Sequence, residues 1–203
     1  MKRIILIFIF ILYFVTIHSQ NIKQRYILWY IPSNVERIHG IALNPWLTES
    51  NFSKELIING FHIQINPFFT LMVPVAVLGS ISFISNNDFA DKTHYENHNT
   101  INGINFTIFD FGISKVNGLD LNIIGSDVGI VNGISLGGLL NKPYFIKGIA
   151  IASISNKSFE CHGLQISLIN YCKKLKGFQI GLWNINKKRS LPFLNWCFSD
   201  DKY

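Results

Sequence analysis

From Gly103 onward glycine recurs at a nearly fixed interval: Gly103, Gly118, Gly133, Gly148, Gly163 and Gly177, spaced fifteen, fifteen, fifteen, fifteen and fourteen residues apart. Each glycine opens the same phrase, with apolar residues at alternate places: GINFTIF, GLDLNII, GISLGGL, GIAIASI, GLQISLI and GFQIGLW. A short fixed period marks a repeat architecture, in which a unit too small to hold its own core stacks on its neighbours. Within a phrase the apolar residues alternate (Leu164, Ile166, Leu168; Phe178, Ile180, Leu182), which is strand periodicity and not helical spacing. These alternating residues are expected to form the buried face of each unit.

Asparagine precedes the first three glycines, as Asn102-Gly103, Asn117-Gly118 and Asn132-Gly133, a pairing that tolerates positive φ where a chain turns sharply. A second polar corner follows each phrase, for example Asn141-Lys142-Pro143 and Asn156-Lys157-Ser158. The expected class is all-β, an array of units of about fifteen residues. A β-solenoid, one coil per repeat, is favoured over an antiparallel hairpin meander or a closed barrel. The later repeats replace Asn-Gly with Lys147-Gly148, His162-Gly163 and Lys176-Gly177, a poor fit to two-residue hairpin turns. Pro143 and Gly137-Gly138 break the alternation a membrane barrel needs.

Residues 1–19 have the form of a secretory signal peptide: Lys2 and Arg3, an apolar stretch Ile4 to Val15, then Thr16-Ile17-His18-Ser19. Its removal takes two cations and no acid, lowering the net charge of the 203-residue chain from +6 to +4. Residues 20–100 read as irregular repeats. Residues 26–47 read as a hairpin, and Gly40-Ile41-Ala42-Leu43 and Gly60-Phe61-His62-Ile63 repeat the phrase with insertions. Within this region lie an apolar run at 68–84 and a polar loop at 85–100. The regular array occupies 101–189, and 190–203, with Pro192, Phe193, Trp196 and Phe198, is expected to plug its open end. Cys161, Cys172 and Cys197 occupy different repeat positions and are expected to act as small apolar residues rather than as a ladder.

The closing phrases, GLQISLINYCKKLKGFQIGLWNINKKRSLPFLNW, resemble a family of exported bacterial surface-repeat proteins that carry tandem GLQIGLxN units and a KRSLP-type ending. The resemblance also takes in the leader, the HGIALNP phrase and the apolar run. It implies export and a repeat architecture, and it brings no catalytic residue. The asparagine after the apolar triplet is clear only at Asn170 and Asn184, so a continuous asparagine ladder is not expected.

Chemistry is sparse. His94 and His98 are four apart, but Glu96 between them matches neither order of the zinc-protease motifs, and the segment is not helix-like. Asp88, Asp91, Asp110, Asp120 and Asp127 form no evident acid/base pair, and no glycine loop opens a helix to cradle phosphate. The expectation is a non-enzymatic protein with no metal site and no small-molecule cofactor, exported to the cell surface, outer membrane or periplasm. Its alternative is an outer-membrane-associated barrel or hairpin module. Lys142, Lys157, Lys173, Lys174, Lys187, Lys188 and Arg189 fall at positions nine to twelve after their glycines. In a stack they are expected to line one basic edge, suited to an anionic glycan or lipid and not to nucleic acid.

Overall fold

The computed structural model describes residues 24–31, 35–44, 55–65 and 99–198. The leader, the apolar run 68–84, and most of the polar loop with His94 and His98 lie outside the described residues. Among the described residues there is no helix. The strands are β1 (Gln24–Tyr30), β2 (Arg37–Asn44), β3 (Leu56–Gln64), β4 (Asn99–Gly137), β5 (Leu140–Asn141), β6 (Phe145–Ala152), β7 (Ser155–Ile166), β8 (Ile169–Asn186) and β9 (Ser190–Cys197).

Among the described residues the strand pairings from β1 to β8 are parallel, and only β8 with β9 is antiparallel. The result is a β-solenoid of about seven turns. Neighbouring strands of a meander or an up-and-down barrel run antiparallel, so neither alternative describes this stack. The hairpin expected over 26–47 is likewise replaced by a coil. Gln24 pairs with Arg37 and Tyr30 with Leu43 in parallel, so the chain travels round the coil before it returns.

Register follows the glycines. Gly40 lies against Gly60 and Gly60 against Gly103, and in the later coils Gly133, Gly148, Gly163 and Gly177 stack in turn. Their φ angles run from 128° at Gly40 to 145° at Gly163, a region that only glycine enters readily. A β-carbon on any of those after Gly40 would also overlap the carbonyl oxygen of the glycine one coil earlier. Ile27 occupies the equivalent place in the first coil, with φ 76°. The asparagines before the glycines do not share the positive φ.

Strand alternation runs on through the glycine. Counting from each glycine, the residues at −2 and +2 both face inward, whereas those at −1 and +1 face outward. The −2 column is Ile38, Ile58, Ile101, Val116, Val131, Ile146, Cys161 and Leu175, all at most 4% exposed. With Ile113, Val128 and Cys172 from the opposite side of the coil it makes the dry part of the core. Cys161 and Cys172 are buried and free. Although they occupy different repeat positions, they meet across the coil, and the contact with Cys172, together with burial, pushes the Cys161 thiol well up.

Gly60 in β3 pairs directly with Gly103 in β4, although forty-three residues separate them. At the other end β9 turns back along β8, with a bulge between Gly181 and Trp183. The expected plug of rings is not what closes this end: Phe193 is 70% and Phe198 63% exposed. The inward residue is Asn195, whose amide nitrogen donates to Gln179 Oε1 at 3.1 Å.

The stacked glycines give a direct test. Gly133→Ala places a side chain in a positive-φ position against the Gly118 carbonyl, and is expected to destabilise the fold by about 2–4 kcal/mol in denaturant titration.

Candidate functional site: an outward apolar sheet face

The phrase residues expected inside the solenoid lie outside it. Position +1 holds Ile41, Phe61, Ile104, Leu119, Ile134, Ile149, Leu164 and Phe178, and position +3 holds Leu43, Ile63, Phe106, Leu121, Leu136, Ile151, Ile166 and Ile180. All sixteen are apolar and all are half-buried or exposed, Phe61 by 50%. The strand β9 extends both columns by one place, because Trp196 lies opposite Phe178 and Leu194 opposite Ile180. Directly opposed residues share a side of the sheet, so these two also face outward. Ile65, Ile123, Leu168 and Leu182 at position +5 widen the face. Where Gly138 and Ser153 take that position, a shallow depression of about 390 Å³ opens, with Phe106, Leu136 and Ile151 among its walls.

The inward positions of the same sheet are mostly polar. At +2 stand Ala42, His62, Asn105, Asp120, Ser135, Ala150, Gln165 and Gln179, the polar ones at most 3% exposed. Burying such groups is costly unless they are hydrogen-bonded. Stacking supplies the partners, because like positions lie one strand spacing apart. Asn105 Nδ2 donates to Asp120 Oδ1 at 2.7 Å, and Asp120 Oδ2 accepts from Ser135 at 2.8 Å, Asn122 at 2.9 Å and Ser126 at 3.1 Å. Further along, Gln179 donates to Gln165 at 2.8 Å. At the second corner Asn156 donates to Asn170 at 3.1 Å and Asn170 to Asn184 at 2.8 Å. Asn141 stacks on Asn156, so the asparagine ladder is longer than its two expected members.

Burial raises the Asp120 carboxyl above the usual carboxylate range, against the opposing pull of its four donors. Burial also lowers His62 to about 4, its Nδ1 lying 2.7 Å from Asn105 Oδ1. Asn105 Nδ2 is committed to Asp120, so its oxygen accepts, and the His62 tautomer is the neutral one with hydrogen on Nδ1. These groups are enclosed in the interior.

One margin of the apolar face is the column at −1, just round the glycine corner. Asn102 donates to Asn59 at 2.8 Å, Asn117 to Asn102 at 2.7 Å and Asn132 to Asn117 at 2.8 Å. Lys147, His162 and Lys176 continue this column in register. Asparagine before glycine is thus a rung of an outer amide ladder rather than the turn residue.

The single basic edge expected from Lys142, Lys157, Lys173, Lys174, Lys187, Lys188 and Arg189 does not form. Lys142 and Lys157 share a column with Tyr171, but Lys157 is only 3% exposed, its ammonium 6.0 Å from the Tyr171 ring. Lys173 and Lys174 lie on another line, 5.2 Å and 5.3 Å from the Phe159 ring. Lys187 and Lys188 are exposed between β8 and β9. Arg189 lies 4.4 Å from the Trp196 ring and donates to Asn195 Oδ1 at 3.0 Å. Charge is nevertheless concentrated here: residues 142–189 carry nine Lys or Arg and one acid, Glu160. Glu160 pairs with His162 at 2.9 Å.

Among the described residues no three His, Cys, Asp or Glu side chains converge as a metal site would require. No family model, curated protein or solved structure matches this chain.

The buried histidine makes the interior sensitive to acid. With a native pKa of about 4 against an ordinary 6.5, His62 adds stability that is full above pH 6.5 and lost as pH falls to about 4. Asp120, shifted upward, acts with the opposite sign: its contribution is present in acid and fades as pH rises. Replacement His62→Asn, which extends the amide ladder, isolates the first effect. The difference in unfolding free energy between wild type and variant is expected to shift by up to about 3 kcal/mol between pH 7 and pH 4.

Proposed function

We propose that this chain is a non-enzymatic, exported structural or interaction protein, held at the cell surface or in the periplasm, that works through its outward apolar face. The observation that carries the reading is a sheet face with no polar side chain at positions +1 and +3 over eight glycine-led segments and β9. Soluble monomers rarely leave a contiguous apolar surface of this extent uncovered, and larger ones mark interaction sites. Export draws its support from the signal-like leader and from the likeness of residues 163–196 to exported surface-repeat proteins.

The test is retention in the cell envelope. Ile134→Lys and Ile166→Lys each put a charge in the middle of the face without touching the interior. Fractionation is expected to find wild type in the envelope and each variant released several-fold more into the soluble fraction. Equal retention of wild type and variants counts against the face as the working surface.

A second reading has a specific observation behind it: nine cations and one acid in residues 142–189, beside the exposed rings of Trp183, Phe193 and Trp196. Such a surface suits the phosphates of an anionic glycan or lipid, and would associate the protein with the outer membrane from one side. Each cation near an anionic surface contributes about 1 kcal/mol. Changing Lys173, Lys174, Lys187 and Lys188 to Ser is therefore expected to weaken binding to anionic vesicles at least tenfold at low salt. Binding that is unchanged removes this second reading.

A further inference from the structure

We infer that the occupant of the apolar face is a second copy of this chain, packed face to face about a twofold axis with the two stacks antiparallel. The inference rests on the reading of that face as the working surface and adds its partner.

Size is the first argument. Nine strands spaced about 4.8 Å apart make the face about 38 Å long, and the columns at +1, +3 and +5 make it about 20 Å wide. That is roughly 750 Å², close to the roughly 800 Å² per partner of a standard stable interface. Composition is the second. The centre is aliphatic and aromatic, and the margin at −1 is an amide ladder from Asn59 to Asn132, the arrangement of an apolar core with a polar rim. No charge stands in the columns at +1 and +3, so a like face meets it without repulsion.

Charge distribution decides the direction. Cations gather in the last coils, and the −1 margin is uncharged from Asn59 to Asn132 before Lys147 and Lys176. A parallel arrangement would set the two basic ends side by side, whereas an antiparallel one puts them at opposite ends. An anionic bilayer would meet cations along less than half of that margin, so a protein face is the better complement. A twofold axis parallel to the strands gives this arrangement and lays each outward column over its own counterpart, with the Ile134 coils of the two copies meeting near the centre. Contacts of this kind are isologous and close on themselves, giving a dimer rather than a fibre.

The experiment is sedimentation equilibrium of the purified full chain in detergent-free buffer, with Ile134→Lys beside wild type and circular dichroism to show that both are folded. Wild type is expected at twice the chain mass at tens of micromolar, and the variant at a single chain mass with an unchanged β spectrum. Should Ile134→Lys fail to fold, Leu136→Ser, in the neighbouring outward column of the same coil, replaces it. Direction is read by cross-linking in a Cys197→Ser background. Ile63→Cys mixed with Ile180→Cys is expected to form an inter-chain disulfide under an added oxidant, and Ile63→Cys alone is not. Self-linking of Ile63→Cys overturns the antiparallel packing. A monomeric wild type overturns the dimer. If that monomer floats with vesicles and Ile134→Lys does not, the face is a lipid surface and the interaction reading stands. If neither variant nor wild type associates with anything, both fall together.

Discussion

Close axial approach at the repeat glycine sets the rest of this structure. Each glycine sits where a β-carbon would overlap the carbonyl of the glycine below, with φ near 140°. Any side chain there would push adjacent coils apart and break the parallel ladder on both sides. Strand alternation continues through the glycine, so that −1 and +1 share the outside and −2 and +2 share the inside. One residue type thus fixes coil spacing and coil register. The first coil, where Ile27 takes that place, shows the constraint relaxing at an end: among the described residues no earlier coil lies beneath it.

The interior follows from stacking rather than from hydrophobicity alone. One side of the coil buries aliphatic residues at −2, and the other buries amides, hydroxyls and the Asp120 carboxylate. An isolated buried asparagine is a liability, whereas a column of them one strand spacing apart is a chain of mutual donors and acceptors. That satisfaction frees the aliphatic residues at +1 and +3 to stay outside. The polar interior and the apolar exterior of this sheet are therefore two sides of one arrangement.

Neighbouring coils need not be one period apart in sequence. Gly60 and Gly103 are neighbours in the stack although they stand forty-three positions apart. A solenoid permits this because each coil contacts only its neighbours, so an insertion at a corner leaves the ladders intact. At the last coil the antiparallel β9 pairs with part of the β8 edge and puts Asn195 against Gln179, ending the polar column with a matching amide. Covering an edge by backbone pairing needs no plug of rings, and the rings of Phe193, Trp196 and Phe198 face outward.

The glycine period and the alternation within each phrase by themselves determined the all-β repeat class, the turn residues favoured the solenoid over a meander or barrel, and the shared phrase at Gly40 and Gly60 put both in the same array. The period could not say which side of a strand is inside, since alternation is symmetric between its two faces. Signals for the inversion were present. Ile38, Ile58, Ile101, Val116, Val131 and Ile146 stand two residues before their glycines, and position +2 carries Asn, Gln, Ser and one Asp but neither Lys nor Glu. Only the folded coil decided the matter, because which face turns inward depends on how successive coils close round a common interior, and one strand's alternation does not record that. Tertiary structure likewise dispersed the lysines, burying Lys157 and setting Lys173 and Lys174 on a separate line. Coils of fourteen and fifteen residues place equal offsets from glycine at unequal points round the turn.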